Sequence, residues 1–406
     1  MKTKFNLLLF FCVIFLLQSC RLLQSHRQSE QNSSITKIPV DVTSDAELKL
    51  SDFFENFRMI RLEADIAIGS INRIRYENNH IYVLDERRNT IFIFSDSGKL
   101  LSYIRKAGRM VRVGNCGPDG CELEERYRES NVFWDFVVNN DTIIVLDWGG
   151  RRLLKYNHSG EFLSEHRLRY HVRAISPTIN QYNFLFAGNE ITTNFHRLHR
   201  VRNGNQPGTP CLPIDERKAE YLHIRWDRGH HFFLHQNAVY FSEAFNDTIY
   251  KSVNGEKMKP AFVVDYKGKN VPESFFDQNF ANVMEFLQEF HKIDSYAHSV
   301  YSFVMSDRFL MFVSFFQRNR KLTLFDQKGK ISQTFSTVKD DVFFNGLVTS
   351  IADFAYYADN RYIFLPLDDR FVEWRDRYHV SEQFRAIIDE AERNDNPLLL
   401  IFSLKN

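Results

Sequence analysis

The chain has 406 residues, a formal net charge of +1 and a pI near 7.7, with basic residues spread along its length. This balance lacks the clustered basic footprint of nucleic-acid-binding proteins, so no nucleic-acid partner is expected. Phenylalanine occurs 39 times, which suits short strands packed face to face, and the length allows one large domain or two smaller ones.

The N-terminus has the pattern of a secretory signal. Lys2 and Lys4 precede an apolar run over 5–17. This run is shorter than the roughly 20 apolar residues that a membrane-spanning helix needs. We therefore predict a cleaved signal peptide over 1–19 rather than a transmembrane segment.

The signal ends in Leu17-Gln-Ser-Cys20, which resembles the bacterial lipobox, where cleavage exposes a cysteine that is then lipidated. A plain secretory signal with an incidental cysteine is the alternative. The segment 20–37 is polar and lacks periodicity, so we predict a flexible tether that starts at a lipidated Cys20. The expected location is the cell envelope, anchored in the outer membrane, with periplasmic or surface facing left open.

A block of sequence recurs along the chain. The first copy comprises Ile81–Asp85, a second apolar strand and a Ser-Gly turn at Gly98. The second copy comprises Ile143–Asp147, a second strand and a Ser-Gly turn at Gly160, and every landmark is shifted by 62 residues. Such self-similarity is typical of repeat architectures, and each unit has the strand-turn-strand pattern of a propeller blade. Further units contain Tyr182, Val239, Leu322 and Arg361, the one at Tyr182 being degraded. The spacing predicts an all-β, six-bladed β-propeller of four-stranded blades over 38–406.

Ring closure and two helical insertions complete this prediction. We expect the strand near Phe57–Leu62 to pair with C-terminal strands, because an open ring would leave edge strands exposed. One helix is predicted to begin at Pro272 and a second at Ser381, ending near Asn394. Each has an apolar face that is expected to pack on the propeller; these faces comprise Phe276, Phe280, Val283, Leu287 and Phe290 in the first, and Phe384, Ile387, Ile388 and Ala391 in the second.

The cysteines beyond Cys20 suggest one disulfide. Cys116-Gly-Pro-Asp-Gly-Cys121 brackets a turn in a predicted long loop over 108–130, and an envelope location permits oxidation. We predict a Cys116–Cys121 disulfide, with two free thiols as the alternative. Cys211 is expected to remain unpaired.

Other candidate sites are weaker. Asp85, Asp147 and Glu243 share one repeat position, where they could form a cation-binding ring or cap the turn after each strand; capping is the favoured interpretation. Asp141-Thr142 and Asp247-Thr248 resemble a short O-glycosylation signal, with hairpin turns as the alternative. A histidine cluster favours loop and hairpin positions over a metal site; it comprises His223, His230, His231 and His235.

The lipobox, the tether, the repeated Tyr-Val-Leu-Asp units and the terminal Asn394-Asp-Asn-Pro-Leu-Leu-Leu resemble the six-bladed β-propeller lipoproteins of Bacteroides-type bacteria, which are similar to NHL and TolB-type propellers. The resemblance covers most of the chain from Cys20 onward and implies the fold rather than an activity. The sequence departs from it at the degraded third unit and at the cysteine-bearing loop.

Two functions are compatible with this sequence. The favoured one is a monomeric binding or scaffolding module for a peptide, glycan or envelope protein, without metal, cofactor or catalytic residues. The alternative is a metal-dependent hydrolase of the lactonase type, which needs several acidic or amide side chains converging on the central channel. The innermost strands that we assign from sequence offer mainly Ile, Val, Leu and Phe, and this favours binding.

Overall fold

The computed structural model describes residues 35–105, 109–117, 120–128, 132–139, 142–187, 196–202, 205–215, 217, 231–354, 356–359, 362–367, 369–394 and 396–406. The predicted signal peptide, Cys20 and most of the tether lie outside these residues. No helix in the described part of the chain is long and apolar enough to cross a membrane.

The described chain begins with an N-terminal segment and continues into three blades. The N-terminal segment comprises β1 (Thr36–Pro39), β2 (Ala46–Lys49), α1 (Leu50–Phe53) and β3 (Phe54–Arg61). Blade 1 comprises β4 (Arg73–Glu77), β5 (His80–Asp85), β6 (Thr90–Ser95) and β7 (Leu100–Arg105). A separate hairpin, β8 (Arg109–Gly117) and β9 (Gly120–Arg128), precedes blade 2, which comprises β10 (Phe133–Val138), β11 (Ile143–Asp147), β12 (Arg152–Tyr156) and β13 (Phe162–Arg167). Blade 3 comprises β14 (Ala174–Ile175), β15 (Tyr182–Phe186), β16 (Leu198–Arg202) and β17 (Asn205–Pro210).

The C-terminal half forms the other three blades and carries the longer helices. Blade 4 comprises β18 (Phe232–His235), β19 (Ala238–Phe241), β20 (Thr248–Val253) and β21 (Lys259–Asp265), followed by α2 (Glu273–Phe276) and α3 (Val283–Lys292). Blade 5 comprises β22 (His298–Met305), β23 (Phe309–Phe316), β24 (Asn319–Asp326), β25 (Ile331–Asp340) and an added β26 (Leu347–Ser350). Blade 6 comprises β27 (Tyr357–Asp359), β28 (Tyr362–Leu367), α4 (Arg370–Arg377), α5 (Glu382–Asn394) and β29 (Leu398–Leu404).

The N-terminal segment closes the ring. Strand β3 is the fourth strand of blade 6 and pairs antiparallel with β29, from Leu398 opposite Arg61 to Leu404 opposite Phe54. The predicted six-bladed propeller and its closing strand are therefore confirmed. The two strands before β3 extend neighbouring blades, because β1 adds in parallel to β21 of blade 4 and β2 adds in parallel to β25 of blade 5. This N-terminal strap, residues 36–61, thus contacts three successive blades.

Hydrophobic packing lies between the blades. The middle strands are buried on both faces because each is sandwiched by its neighbours, as in β5 and β11, whereas the outer strand β13 is mostly exposed. Tyr82 and Ile93 of blade 1, for example, belong to one buried cluster with Phe136 and Val145 of blade 2. Packing between neighbouring blades explains why the second and third strands of each repeat carry apolar residues.

The repeated glycines mark the contacts between blades. Gly98 and Gly160 occupy equivalent turns with φ of +90° and +88°, a region that favours glycine. A Cβ at Gly98 would lie 2.0 Å from the carbonyl oxygen of Arg61 in the closing strand, and one at Gly160 would lie 3.0 Å from that of Tyr103 in blade 1. Each glycine thus lets its turn approach the outer strand of the preceding blade.

Two local predictions need correction. The apolar stripe that begins at Pro272 forms two helices, α2 and α3, because the chain leaves the helix after Phe276 and restarts at the N-cap Asn282, whose side chain accepts from the Glu285 amide. Their phenylalanines still form one buried cluster. The helix predicted from Ser381 is confirmed as α5, but α4 was not predicted.

The segment predicted as a long loop over 108–130 is instead the hairpin of β8 and β9. Its two strands pair from Arg109 opposite Arg128 to Gly117 opposite Gly120. Within the described residues they pair with each other and with no blade. The backbone register places Cys116 directly opposite Cys121.

Candidate functional site

The innermost strands of blades 1, 2 and 6 carry charged residues, and they are not the apolar strands that the sequence analysis assigned to the innermost position. The recurrent motif begins at the second strand of each blade, so Ile81–Asp85 is β5 and the innermost strand is β4, with the sequence Arg-Ile-Arg-Tyr-Glu. Inner strands of neighbouring blades contact one another around the axis, including β27 with β4 and β4 with β10. The side chains at the axis therefore come from segments outside the repeat.

A buried ion-pair network links the inner strands of blades 1, 2 and 6. Asp135 on β10 is 1% exposed, with Oδ1 lying 3.0 Å from Arg73 Nε and 3.8 Å from Arg75 Nη2. Its Oδ2 accepts from the Ile175 amide of blade 3. Arg75 Nη1 lies 3.7 Å from Oδ1 of Asp359 on β27. Three chain segments distant in sequence thus neutralise each other's charge at the axis.

Beside this network lies a cavity of about 330 Å³, here called the axial cavity. It lies where the inner strands of blades 1 to 3 end and turn outward. Its described lining comprises Arg75, Glu77, Val137, Val138, Asn139, Pro177, Thr178, Asn180, Leu234 and Asp359. Asn180 is exposed, so the cavity reaches the surface, whereas Arg75 at its inner side is only 5% exposed. A concave site with a few convergent polar groups is the usual form of a small-ligand site.

Arg75 presents its guanidinium to this cavity. Its Nε donates to the Phe136 carbonyl at 3.2 Å. The two terminal nitrogens approach carboxylates only at 3.7 and 3.8 Å, which exceeds ordinary hydrogen-bond length. Asp359 is fixed from the other side, because its Oδ2 accepts from the Tyr76 amide at 2.8 Å. The guanidinium group of Arg75 is therefore held in place, and its terminal N–H groups can still donate hydrogen bonds to a ligand.

Glu77 lies two residues beyond Arg75 on the same face of β4. Burial raises the pKa of its carboxyl group above the ordinary value, the negative charge of Asp359 raises it further, and His158 opposes the shift. His158 is held between the Tyr82 hydroxyl, 2.9 Å from Nδ1, and the Asn139 carbonyl, 3.1 Å from Nε2. Burial, with the charge of Glu77, raises the pKa of Tyr82 to about 12. Burial and Asp359 together therefore disfavour the charge on Glu77.

The recurrent acids do not converge on the channel. Asp85 and Asp147 are fully buried, and each accepts the backbone N–H three residues later, from Arg88 and Gly150 respectively. Glu243 instead forms a buried ion pair with Arg197. The capping interpretation is confirmed for the two aspartates, which also accept the amides of Gly69 and Val132 ahead of their own blades.

The described histidines are likewise separate. His231 contacts Phe186 with ring centres 4.5 Å apart and the rings tilted by 52°, whereas His235 lies on β18 with Nε2 3.4 Å from Asp307 Oδ1. Burial lowers the pKa of His235. His223 and His230 lie outside the described residues. In the part of the chain that the structure describes, no group of three or more His, Cys, Asp or Glu side chains could hold a metal ion.

The structure describes only some of the remaining residues that the sequence analysis singled out. Cys211 is a free thiol near the surface of blade 3, and burial raises its pKa. Thr248 begins β20 at a half-buried position, whereas Asp141 lies outside the described residues. Of the axial residues, Arg73, Arg75, Glu77, Asp135 and Asp359 were all missed from sequence. The available signal was the three charges on one face of a strand that directly precedes a repeat unit.

Residues 34–403 match the domain family DUF4934, a domain of unknown function. The chain belongs to this family. A comparison with curated protein sequences finds no match.

Solved structures share the fold. A Bacteroides fragilis protein described as a "Putative exported protein" is 16% identical, with a TM-score of 0.67 over 92% of this chain and 100% of that one. A DUF4221-family protein from Bacteroides vulgatus is 11% identical, covers 87% of this chain and 98% of that one, and has a TM-score of 0.46. At these identities the first likeness shows the propeller fold alone, and the second carries no argument.

Proposed function

We propose that this DUF4934 protein is a lipid-anchored protein of the bacterial envelope whose propeller binds a ligand in the axial cavity. The observation that carries the binding role is the placement of Arg75, Glu77 and Asp359 around one solvent-connected space. Charged groups are costly to bury, and a propeller that needed only stability would fill its axis with apolar side chains. The peptide, glycan or envelope protein predicted from sequence would place one end group in this cavity.

The envelope location rests on the N-terminal sequence. Lys2, Lys4, the apolar run over 5–17 and the lipobox-like Leu17–Cys20 support export and lipidation. The fold shared with a B. fragilis protein described as exported agrees with this proposal. The tether after Cys20 leads directly into the N-terminal strap, so the propeller would be held at its rim.

The arrangement at the axis favours binding over the metal-dependent alternative. A calcium site of the lactonase type needs several oxygen ligands at roughly 2.3–2.6 Å from the ion. Here Asp135 lies beside the guanidinium groups of Arg73 and Arg75, whose positive charge opposes a divalent cation at this carboxylate.

The anchor is tested with the full chain and Cys20→Ala. Metabolic labelling with a radioactive fatty acid should mark the parent protein and leave the variant unlabelled, and the variant should move to the soluble envelope fraction. Each acyl CH₂ contributes about 0.8 kcal/mol to membrane binding, so removing the chains removes the anchor. Cys211→Ala is the control, and equal labelling of parent and Cys20→Ala would contradict lipidation.

The binding role is tested by calorimetry with free amino acids, short peptides and neutral mono- and oligosaccharides. We expect one of these classes to bind and the binding to be lost in Glu77→Gln. Glu382→Gln, an exposed substitution on α5 outside the cavity lining, is the matched control. Binding that is unaffected by Glu77→Gln, or absent for every class, would contradict a ligand site in the axial cavity.

A further inference from the structure

Two residues of opposite charge on the same face of one strand line the axial cavity. Arg75 and Glu77 both line it and are two residues apart on β4, so they share a face with Cα atoms about 7 Å apart. Asp359 approaches from blade 6 on the other side of Arg75. The cavity therefore has a cationic wall with available N–H donors and an anionic wall made of two carboxylates.

From this arrangement we propose that the axial cavity binds the head group of an α-amino acid, with its carboxylate on Arg75 and its ammonium group between Glu77 and Asp359. This rests on the proposed function and names the chemistry of its ligand. The carboxylate would take the two terminal nitrogens of Arg75, a geometry that a guanidinium matches with paired hydrogen bonds. An ammonium group would neutralise the Glu77 carboxylate, whose charge is disfavoured by burial and by Asp359.

The other lining residues agree with a small, charged ligand. Thr178 and Asn180 add a hydroxyl and an amide, while Val137, Val138 and Leu234 provide apolar surface for a short side chain. None of the ten described lining residues is aromatic, so this part of the cavity has no ring on which a sugar could stack. A neutral sugar would also lack the carboxylate that matches the paired terminal N–H donors of Arg75.

The test is isothermal titration calorimetry on the purified full chain with L-alanine and two analogues. Alaninamide lacks the carboxylate and N-acetylalanine lacks the ammonium group. We expect alanine to bind and each analogue to bind about tenfold more weakly or worse, because a lost charge-assisted hydrogen bond costs at least about 1.4 kcal/mol. Equal binding of alanine and either analogue, or no binding of alanine, would overturn the proposal.

Two variants connect the result to the cavity. Glu77→Gln keeps the shape of the side chain, and we expect about tenfold weaker binding of alanine. Arg75→Lys keeps the positive charge beside Asp359 but removes the paired donors, so it should weaken alanine and N-acetylalanine alike. Glu382→Gln should bind as the parent does. Unchanged binding in folded Glu77→Gln would also overturn the assignment.

The same head group occurs on free amino acids and on the free end of diaminopimelate in peptidoglycan. Titration with a diaminopimelate-containing stem peptide beside free alanine distinguishes the two, and tighter binding of either supports the proposal. If neutral saccharides bind and Glu77→Gln abolishes that binding, while alanine does not bind at all, the proposed binding function stands and this inference fails.

Discussion

The middle strands of the blades and the innermost strands differ in sequence pattern and in the contacts that their side chains make. β5 and β11 repeat the same apolar pattern, are buried on both faces, and end in an aspartate that caps its own turn. β4, β10 and β27 share no such pattern, and their charges meet only across blades. The repeated sequence thus encodes the apolar contacts between blades. The non-repeated sequence of the inner strands supplies the charged contacts at the axis.

The largest effect should come from the deep ion pair at the axis. Asp135→Asn keeps the side-chain shape but leaves Arg73 and Arg75 without the carboxylate that neutralises them. Breaking a buried pair costs about 3–5 kcal/mol, and we expect that loss in the free energy of urea unfolding. Glu77→Gln is the comparison, and its midpoint should equal or exceed that of the parent because burial disfavours the Glu77 charge. Equal midpoints for Asp135→Asn and the parent would show that the network does not stabilise the ring.

The repeat itself is tested at its glycines. Gly98→Ala places a Cβ against the Arg61 carbonyl of the closing strand, whereas Gly268, with φ of +82°, has no other atom within 4 Å of an added Cβ. Gly268→Ala should therefore cost only the backbone strain, about 1–2 kcal/mol. Gly98→Ala should cost about 3 kcal/mol in urea unfolding, because overpacking adds to the strain. Equal costs would mean that the turn at Gly98 can move away from β3.

A buried histidine at the start of β22 in blade 5 should make the fold acid-sensitive. His298 begins β22 between the rings of Phe245 and Phe315, and burial, assisted by His291, lowers its pKa to about 3. Below about pH 6.5 the unfolded chain takes up a proton that the folded chain does not, so stability falls as pH decreases from 6.5 towards 3.

The matching variant is His298→Phe, which keeps a ring at this position and removes the titration. At pH 4.5 the parent should have lost roughly 2–3 kcal/mol more than the variant relative to pH 7.5. Urea midpoints of both proteins at the two pH values measure this difference. Parallel pH profiles would show that His298 is protonated in the folded protein.

The smallest effect is expected at the hairpin outside the ring. Cys116 and Cys121 face each other in the register of β8 and β9, which permits the roughly 4.4–6.8 Å Cα separation of a disulfide. Alkylation of mature protein under denaturing conditions should modify one thiol, that of Cys211, and three after reduction. The double variant Cys116→Ser/Cys121→Ser should leave the unfolding midpoint of the ring unchanged. Three reactive thiols before reduction would contradict the disulfide.

The sequence was sufficient for the scaffold because each blade contact is local and repeated. The blades follow from the 62-residue shift, the helix after Ser381 follows from helical spacing, and the closing strand near Phe57–Leu62 follows from the need to close the ring. The structure agrees with all three. The break between α2 and α3 was missed because Phe280 and Val283 continue the helical spacing across Asn282, the N-cap at which the helix restarts.

The axial site could not be predicted in the same way. Arg73-Ile-Arg-Tyr-Glu77 alternates polar and apolar residues as an exposed strand does. Packing of blade 2 brings Asp135 beside it and ring closure brings Asp359, and no pattern within one blade encodes either contact.

The N-terminal strap has a consequence for the order of events during synthesis. Residues 36–61 leave the ribosome before any blade, yet β1, β2 and β3 find their partners in blades 4, 5 and 6, and β3 pairs with β29 of blade 6. Contacts between residues so distant in sequence form slowly, because the loop must be closed before they stabilise anything. Until β29 has emerged, the ring stays open at the closing strand, so the topology itself delays complete folding until the end of synthesis.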